Sequence, residues 1–222
     1  RDDRFGQDVA RFILERHAGS RVGIVHDKSR QASGLANDAD RSLRALGVVP
    51  TLREAYVAGE RAYHELTTRL AAAAIDVIVM PAQPIEAGII LSELDARGLT
   101  PTLIGSEILA VPGSIEPATR YGSRWLPMLA APLNDGSGEM IQVGSDVAHR
   151  AQAALEAWVD AVHRSGTIDA TTIAQALVAA PAATLFGNIR FDHHGDVMRA
   201  SFLPHVWRGG EWRPLAGGQG ST

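Results

Sequence analysis

The chain has no cysteine. That excludes disulfides, thiolate metal sites and a cysteine nucleophile, while leaving the compartment open. It is also almost without lysine. Lys28 is the sole lysine among 21 basic residues, and the arginines are scattered through every segment, a bias of the source and not a patch. Excess charge is small: 25 acidic residues give a formal net charge of −4, so the electrostatic footprint of a nucleic-acid binder is missing. No apolar run approaches the roughly 18 residues needed to cross a bilayer, which argues against stable membrane insertion. A signal peptide is absent too. The chain opens abruptly on Arg1 without a methionine. The expectation is an N-terminus removed by processing, design or truncation, so the absent signal does not bear on localisation.

What is present is the composition of a globular protein, 45% hydrophobic and 21% charged over 222 residues, enough for one large or two small domains. The chain is organised around residues 21–36. Val22 to Val25 form a short apolar run without alternation, as in a strand buried on both faces. His26 and Asp27 break the run, a polar loop follows, and Gly34 leads into the helical pattern Leu35, Ala36, Ala39, Leu43, Leu46. Strand, polar loop and helix is the unit of an open parallel α/β sheet, in which ligands bind at the carboxyl ends of the strands.

The unit recurs along the chain. Helical spacing covers 6–18, with Gly19 as a stop. Further strands are expected near 50–57, 75–80, 101–107 and 124–131, with Pro50 making the first irregular or placing it at an edge. Helices are expected over 34–46, 62–74 and 84–97, and a short one over 113–119. Pro84 near a helix start costs little, because its missing amide donor would be unpaired there anyway. This alternation predicts a doubly wound parallel sheet. Residues 132–145 read as a loop and a boundary. Two helices follow, over 146–164 and 170–179. The apolar face of the first carries Val147, Ala151, Ala154, Leu155, Trp158 and Val162. Strands over 185–191, 201–207 and 211–215 come next, and the last six residues read as a frayed end. This second part is too small for a core of its own, so it is expected to expose Ala151, Leu155, Trp158 and Val162.

Several segments carry a family likeness: the opening RDDRFG, RVGIVHDKS followed by GLA, AYVAGERAYHELTTRL, LIGSE, NIRFDHHGDV and the closing VWRGGEWRPL. In this order and spacing they resemble the solute-binding proteins of branched-chain amino acid ABC transporters, the leucine/isoleucine/valine-binding, type I periplasmic group. The resemblance implies a type I periplasmic-binding-protein-like α/β fold, with a doubly wound parallel lobe plus a partial second lobe. Residues 1–133 would form the second lobe of the family, 134–198 the C-terminal part of an incomplete first lobe, and 199–222 a return to the second lobe with a closing hairpin. It also implies a periplasmic, non-enzymatic binding protein without cofactor, whose partners are a small ligand, an amino acid or similar, and a membrane permease. Glu107 matches the family carboxylate that accepts hydrogen bonds from the ligand's ammonium group, a charge-assisted contact, and Ser106 precedes it. Family tyrosines that wall the cleft align with Gln31 and Gln83. Glutamine offers amide donors and acceptors but no aromatic surface, so the expectation is a more polar ligand than leucine, or no amino acid at all. An α/β hydrolase or nucleotide-binding enzyme using the same strand-end cleft, or a ligand sensor outside transport, is the alternative.

Other constellations are weaker. His193 and His194 between Asp192 and Asp196 suggest a metal, but adjacent histidines on an extended segment point to opposite faces and the composition is that of a turn. His26-Asp27 resembles part of a hydrolase dyad, yet no Gly-x-Ser-x-Gly elbow exists. GSGE at 136–139 is too short for a phosphate loop. Trp207 and Trp212 read as packing residues of the closing hairpin.

Overall fold

The computed structural model describes residues 3–130, 147–198 and 202–215. In chain order the elements are α1 (Asp3–Arg16), β1 (Val22–His26), α2 (Arg30–Ala45), β2 (Leu52–Ala55), α3 (His64–Ala72), β3 (Val77–Val79), α4 (Pro84–Asp95), β4 (Thr102–Gly105), α5 (Ile115–Tyr121) and β5 (Trp125–Ala130). Then come α6 (Val147–Ser165), α7 (Ala170–Ala179), β6 (Ala182–Thr184), β7 (Gly187–Ile189), β8 (Phe202–Arg208) and β9 (Glu211–Pro214). Two compact units result, one from residues 3–129 with 202–215 and the other from 147–198.

The larger unit is built on a seven-stranded sheet of order β2-β1-β3-β4-β5-β8-β9. Its first five strands pair in parallel, as in Val22↔Val77, Val77↔Thr102 and Leu103↔Trp125, and the hairpin β8–β9 is antiparallel. This is the parallel arrangement that the alternation of elements predicts. Successive strand residues face opposite sides of a sheet, which accounts for two cores. Val22, Ile24, Val77, Val79 and Ile104 pack under α1 and α2, against Phe5, Val9, Ile13, Leu35 and Leu43. Val25, Ile78, Met80 and Leu103 pack under α3, α4 and α5, against Leu66, Leu70, Ile90, Leu94 and Tyr121. Trp125 is fully buried there and stacks on Tyr121 at 6.2 Å.

Element boundaries differ from the sequence expectation where proline and close packing intervene. Pro50 delays β2, which pairs with β1 from Leu52 onward. The fourth strand stops at Gly105 and not at 107, and residues 107–110 turn into a 3₁₀ helix. A Cβ on Gly105 would lie 2.4 Å from Leu109 Cδ1 and 2.8 Å from the Met80 carbonyl oxygen, so the chain can fold back here only without a side chain. Gly47 and Gly98, with φ of 80° and 77°, end α2 and α4 in the left-handed region open to glycine.

In the smaller unit, α6 turns Ala153, Ala157 and Ala161 inward, an i, i+4, i+8 stripe of small residues. Leu155 and Trp158 are 60% and 43% exposed and Ala151 is exposed, as expected, whereas Val162 is half-buried. The side chain of Val147 lies outside the described residues. The expected strand over 185–191 is replaced by the short hairpin β6–β7, because Leu185 and Phe186 occupy its turn. Residues 131–146, with the GSGE segment and the loop-like boundary, lie outside the described residues, as do 199–201 and the last seven. Among the described residues no helix is long and apolar enough to cross a membrane.

Candidate functional site

In the order β2-β1-β3-β4-β5 the chain reverses direction across the sheet between β1 and β3, and ligands of open α/β sheets sit outside the strand ends at such a switch point. A cavity of about 40 Å³ lies there. Its wall comes from the segments that follow β1, β3 and β4: Asp27, Ser29 and Gln31, then Ala82 and Gln83, then Ser106 and Ile108.

Local bonds fix each segment. Asp27 Oδ1 accepts from the Ser29 amide at 2.9 Å, and Ser29 Oγ caps α2 by accepting from the Ala32 amide at 3.2 Å. His26 Nδ1 accepts from the Lys28 amide at 3.2 Å and lies 3.3 Å from Ser33 Oγ, which holds the loop under a left-handed Lys28 (φ 66°). Burial, then the nearby Arg53, pushes the His26 pKa below its ordinary value, so the imidazole stays neutral and keeps Nδ1 as an acceptor. Gln83 is the N-cap of α4 with Pro84 after it, and its side chain makes no capping bond. The 3₁₀ turn that carries Glu107 is pinned by two tryptophans. Trp125 Nε1 donates to the Leu109 carbonyl at 3.0 Å and Trp212 Nε1 to the Ala110 carbonyl at 3.2 Å.

Gln31, Gln83 and Ser106 thus meet at one cavity. Gln31 and Gln83 are exposed at its edge, whereas Ser106 is 1% exposed and its hydroxyl has no partner among the described residues. Glu107 is half-buried beside Ser106 and is not one of the residues lining the cavity. The carboxylate that does line it is Asp27, which the strand-end rule could have singled out from sequence as the residue leaving β1.

Elsewhere in the same unit, two glutamates of α4 hold the segment after β2 and the start of α3. Glu86 Oε1 accepts from the Gly59 amide at 3.2 Å. Glu93 accepts from the Tyr63 amide at 2.7 Å, from Thr67 Oγ1 at 2.9 Å, and lies 3.0 Å from His64 Nδ1. Burial works against the Glu93 carboxylate, but these bonds outweigh it and hold its pKa below the usual range. Tyr56 and Tyr63 pack edge to face at 5.1 Å. Burial first, and then the charges of Asp27 and Glu86, push the Tyr56 phenol far above its ordinary value, so it stays protonated.

The rival constellations resolve locally. Asp27 bonds the Ser29 amide instead of the imidazole, and Ser33 shares Nδ1 with a backbone amide, so no relay of acid, base and nucleophile forms. Asp192 Oδ1 accepts from the amides of His194 at 2.9 Å and Asp196 at 3.0 Å, the self-bonded turn that the composition suggests. The rings of His193 and His194 do not point to opposite faces as an extended segment would require; they lie 3.7 Å apart because the backbone is turned. No group of three or more metal-ligating side chains occurs among the described residues. Trp207 and Trp212 pack edge to face at 5.3 Å across the β8–β9 hairpin.

No family model matches the chain. Individual proteins do. The chain is 26% identical over 228 residues to a Leu/Ile/Val-binding protein homolog of Brucella abortus, covering 95% of this chain and 60% of that protein. It is 24% identical over 223 residues to a leucine-, isoleucine-, valine-, threonine- and alanine-binding protein of Pseudomonas aeruginosa, covering 93% and 58%. The crystal structure of a leucine-binding protein from Thermotoga maritima superposes with a TM-score of 0.69 at 16% identity, over 97% of this chain and 65% of that one. The chain therefore has the type I periplasmic-binding-protein fold, resembles the branched-chain amino acid-binding proteins in sequence, and spans about three fifths of the length of these relatives.

Proposed function

We propose that this chain is part of the substrate-binding component of an ABC transporter, a periplasmic protein without enzymatic activity that holds a small polar ligand, an amino acid, between two lobes. One observation carries the reading: the chain matches relatives named for amino-acid binding over 95% of its length, and its polar strand-end cavity stands at the switch point of the shared fold. In this reading, residues 1–133 and 199–222 supply one wall of the cleft. Residues 134–198 belong to the other lobe, which further sequence completes.

The chemistry asked of the site is binding alone. Glu107, half-buried next in the chain to Ser106, accepts from the ligand's ammonium group in the closed form. Gln31, Gln83 and Ser106 meet the remainder with amide and hydroxyl groups. Closure of the lobes shuts the cleft, and a membrane permease reads the closed form. The experiment is calorimetric titration of the full-length protein and its Glu107→Gln variant with a panel of amino acids. A lost charge-assisted bond costs about 1.5–3 kcal/mol, so affinity should fall roughly ten- to a hundredfold. Equal affinity removes Glu107 from the site. Failure of every amino acid to bind, or turnover of a substrate, removes the reading itself.

A further inference from the structure

We infer that the cavity between Asp27 and Ser106 is a socket for a primary carboxamide at the end of the ligand's side chain, with Asp27 as a specificity-determining residue. The inference rests on the amino-acid-binding reading above and names the ligand class within it.

The lining is unusual in carrying both a committed acceptor and an unused hydroxyl. Asp27 is acceptor-only when ionised, and the Ser29 amide engages just one of its two oxygens. Ser106 is buried with no hydrogen-bond partner among the described residues. Native folds seldom leave a buried hydroxyl unpaired, and a ligand group that relieves it is a sufficient reason. The two residues follow β1 and β4, with β3 running between those strands, so they stand on separate walls of one cavity. Gln31 and Gln83 at the edge can donate or accept.

A group entering this space meets an acceptor at Asp27, an unpaired hydroxyl at Ser106 and amide groups at Gln31 and Gln83. An alkyl end neither donates nor accepts and would leave Ser106 and the second oxygen of Asp27 unpaired. An ammonium can donate to Asp27 and to the Ser106 oxygen, but it brings no acceptor for the amide donors of Gln31 and Gln83. A carboxylate only accepts, and it meets the like charge of Asp27. A hydroxyl does both, but through a single atom. A carboxamide carries donor and acceptor on separate atoms, as the two walls require. The cavity, about 40 Å³, has room for an end group of a few atoms.

The test is calorimetric titration of the full-length protein with L-glutamine, L-asparagine, L-serine, L-glutamate, L-lysine and L-leucine. It is repeated on Ser106→Ala and Asp27→Asn, each checked for an unchanged melting profile. Glutamine or asparagine should bind at least tenfold tighter than the other four. Ser106→Ala should lower the affinity for that amide about five- to tenfold, and by more than it lowers the affinity for leucine. Asp27→Asn should narrow the preference for the amide over glutamate, since it removes the like charge. Tightest binding of leucine, lysine, serine or glutamate overturns the socket and leaves the amino-acid-binding reading intact. Equal loss across all six ligands in both variants also overturns it, because it shows a structural role. If none of the six binds, the socket and the binding reading fall together.

Discussion

Two helical glycines should respond to the same substitution with opposite signs. Gly6 lies in α1 and Gly34 in α2, and neither has a left-handed backbone. By propensity alone, alanine should stabilise both by about 0.5–1 kcal/mol. Around Gly34 the structure agrees, since nothing lies within 4 Å of where a Cβ would stand. At Gly6 it does not. A Cβ there would sit 2.4 Å from both the carbonyl carbon and oxygen of Asp38 and 2.7 Å from the Ala39 nitrogen. All three are backbone atoms of α2, so no rotamer change can yield. The helices would have to part by roughly an ångström, against carbon contacts of about 3.5 Å in a packed core. Their interface holds Phe5, Val9, Ile13, Leu35, Ala39 and Leu43, all buried. Overpacking of this kind costs about 1–3 kcal/mol. With the propensity gain subtracted, Gly6→Ala should be destabilising by up to about 2 kcal/mol, and since both variants share that gain the gap between them is the overpacking cost, about 1–3 kcal/mol. At about 2–4 °C per kcal/mol for a chain of this size, their melting temperatures should differ by roughly 2–12 °C. Urea unfolding of each variant, followed by the fluorescence of buried Trp125, reads the difference directly. A Gly6→Ala protein as stable as Gly34→Ala would refute the backbone-contact reasoning.

Acid should weaken the fold through three histidines. Burial lowers the pKa of His17, with Arg16 adding to it; of His26, with Arg53 adding; and of His205, where a bond to the Leu203 carbonyl opposes it. Each is neutral when folded and binds a proton more readily when unfolded. Their contribution is therefore complete above the ordinary pKa of about 6.5 and is lost as pH falls from there through the lower folded values. The urea midpoint should drop between pH 7.5 and 5.5, and His205→Gln should show a smaller drop; a flat profile contradicts the assignment. On α6, Leu155→Ala and Trp158→Ala would normally change stability by no more than about 0.5 kcal/mol, since both side chains are exposed. If first-lobe sequence covers that face in the full-length protein, each should cost at least about 2 kcal/mol there, and near-neutral values would refute the cover.

The lobe was legible from the sequence because its signals are local. Val22 to Val25 and Val77 to Met80 read as buried strands since every residue of each run faces one core or the other, and Gly47 and Gly98 end helices through their own backbone freedom. The strand-end rule brings the segments 26–31, 81–83 and 105–107 to one edge of the sheet, and Gln31, Gln83 and Ser106, which the family resemblance singles out, line one cavity there. What the sequence left open depends on contacts between distant segments. Propensity cannot see that Gly6 meets the backbone of Asp38, or that Gly105 must clear the Met80 carbonyl so that the chain can turn before Glu107. Helical periodicity found the large apolar residues of α6, but the described unit packs the small stripe Ala153, Ala157 and Ala161 instead, because β6 and α7 approach on that side. Which carboxylate lines the cavity was decided the same way. Asp27 and Glu107 both follow strands, and only the folding back of residues 107–110, held by Trp125 and by Trp212 from the distant hairpin, leaves Asp27 as the one in its wall.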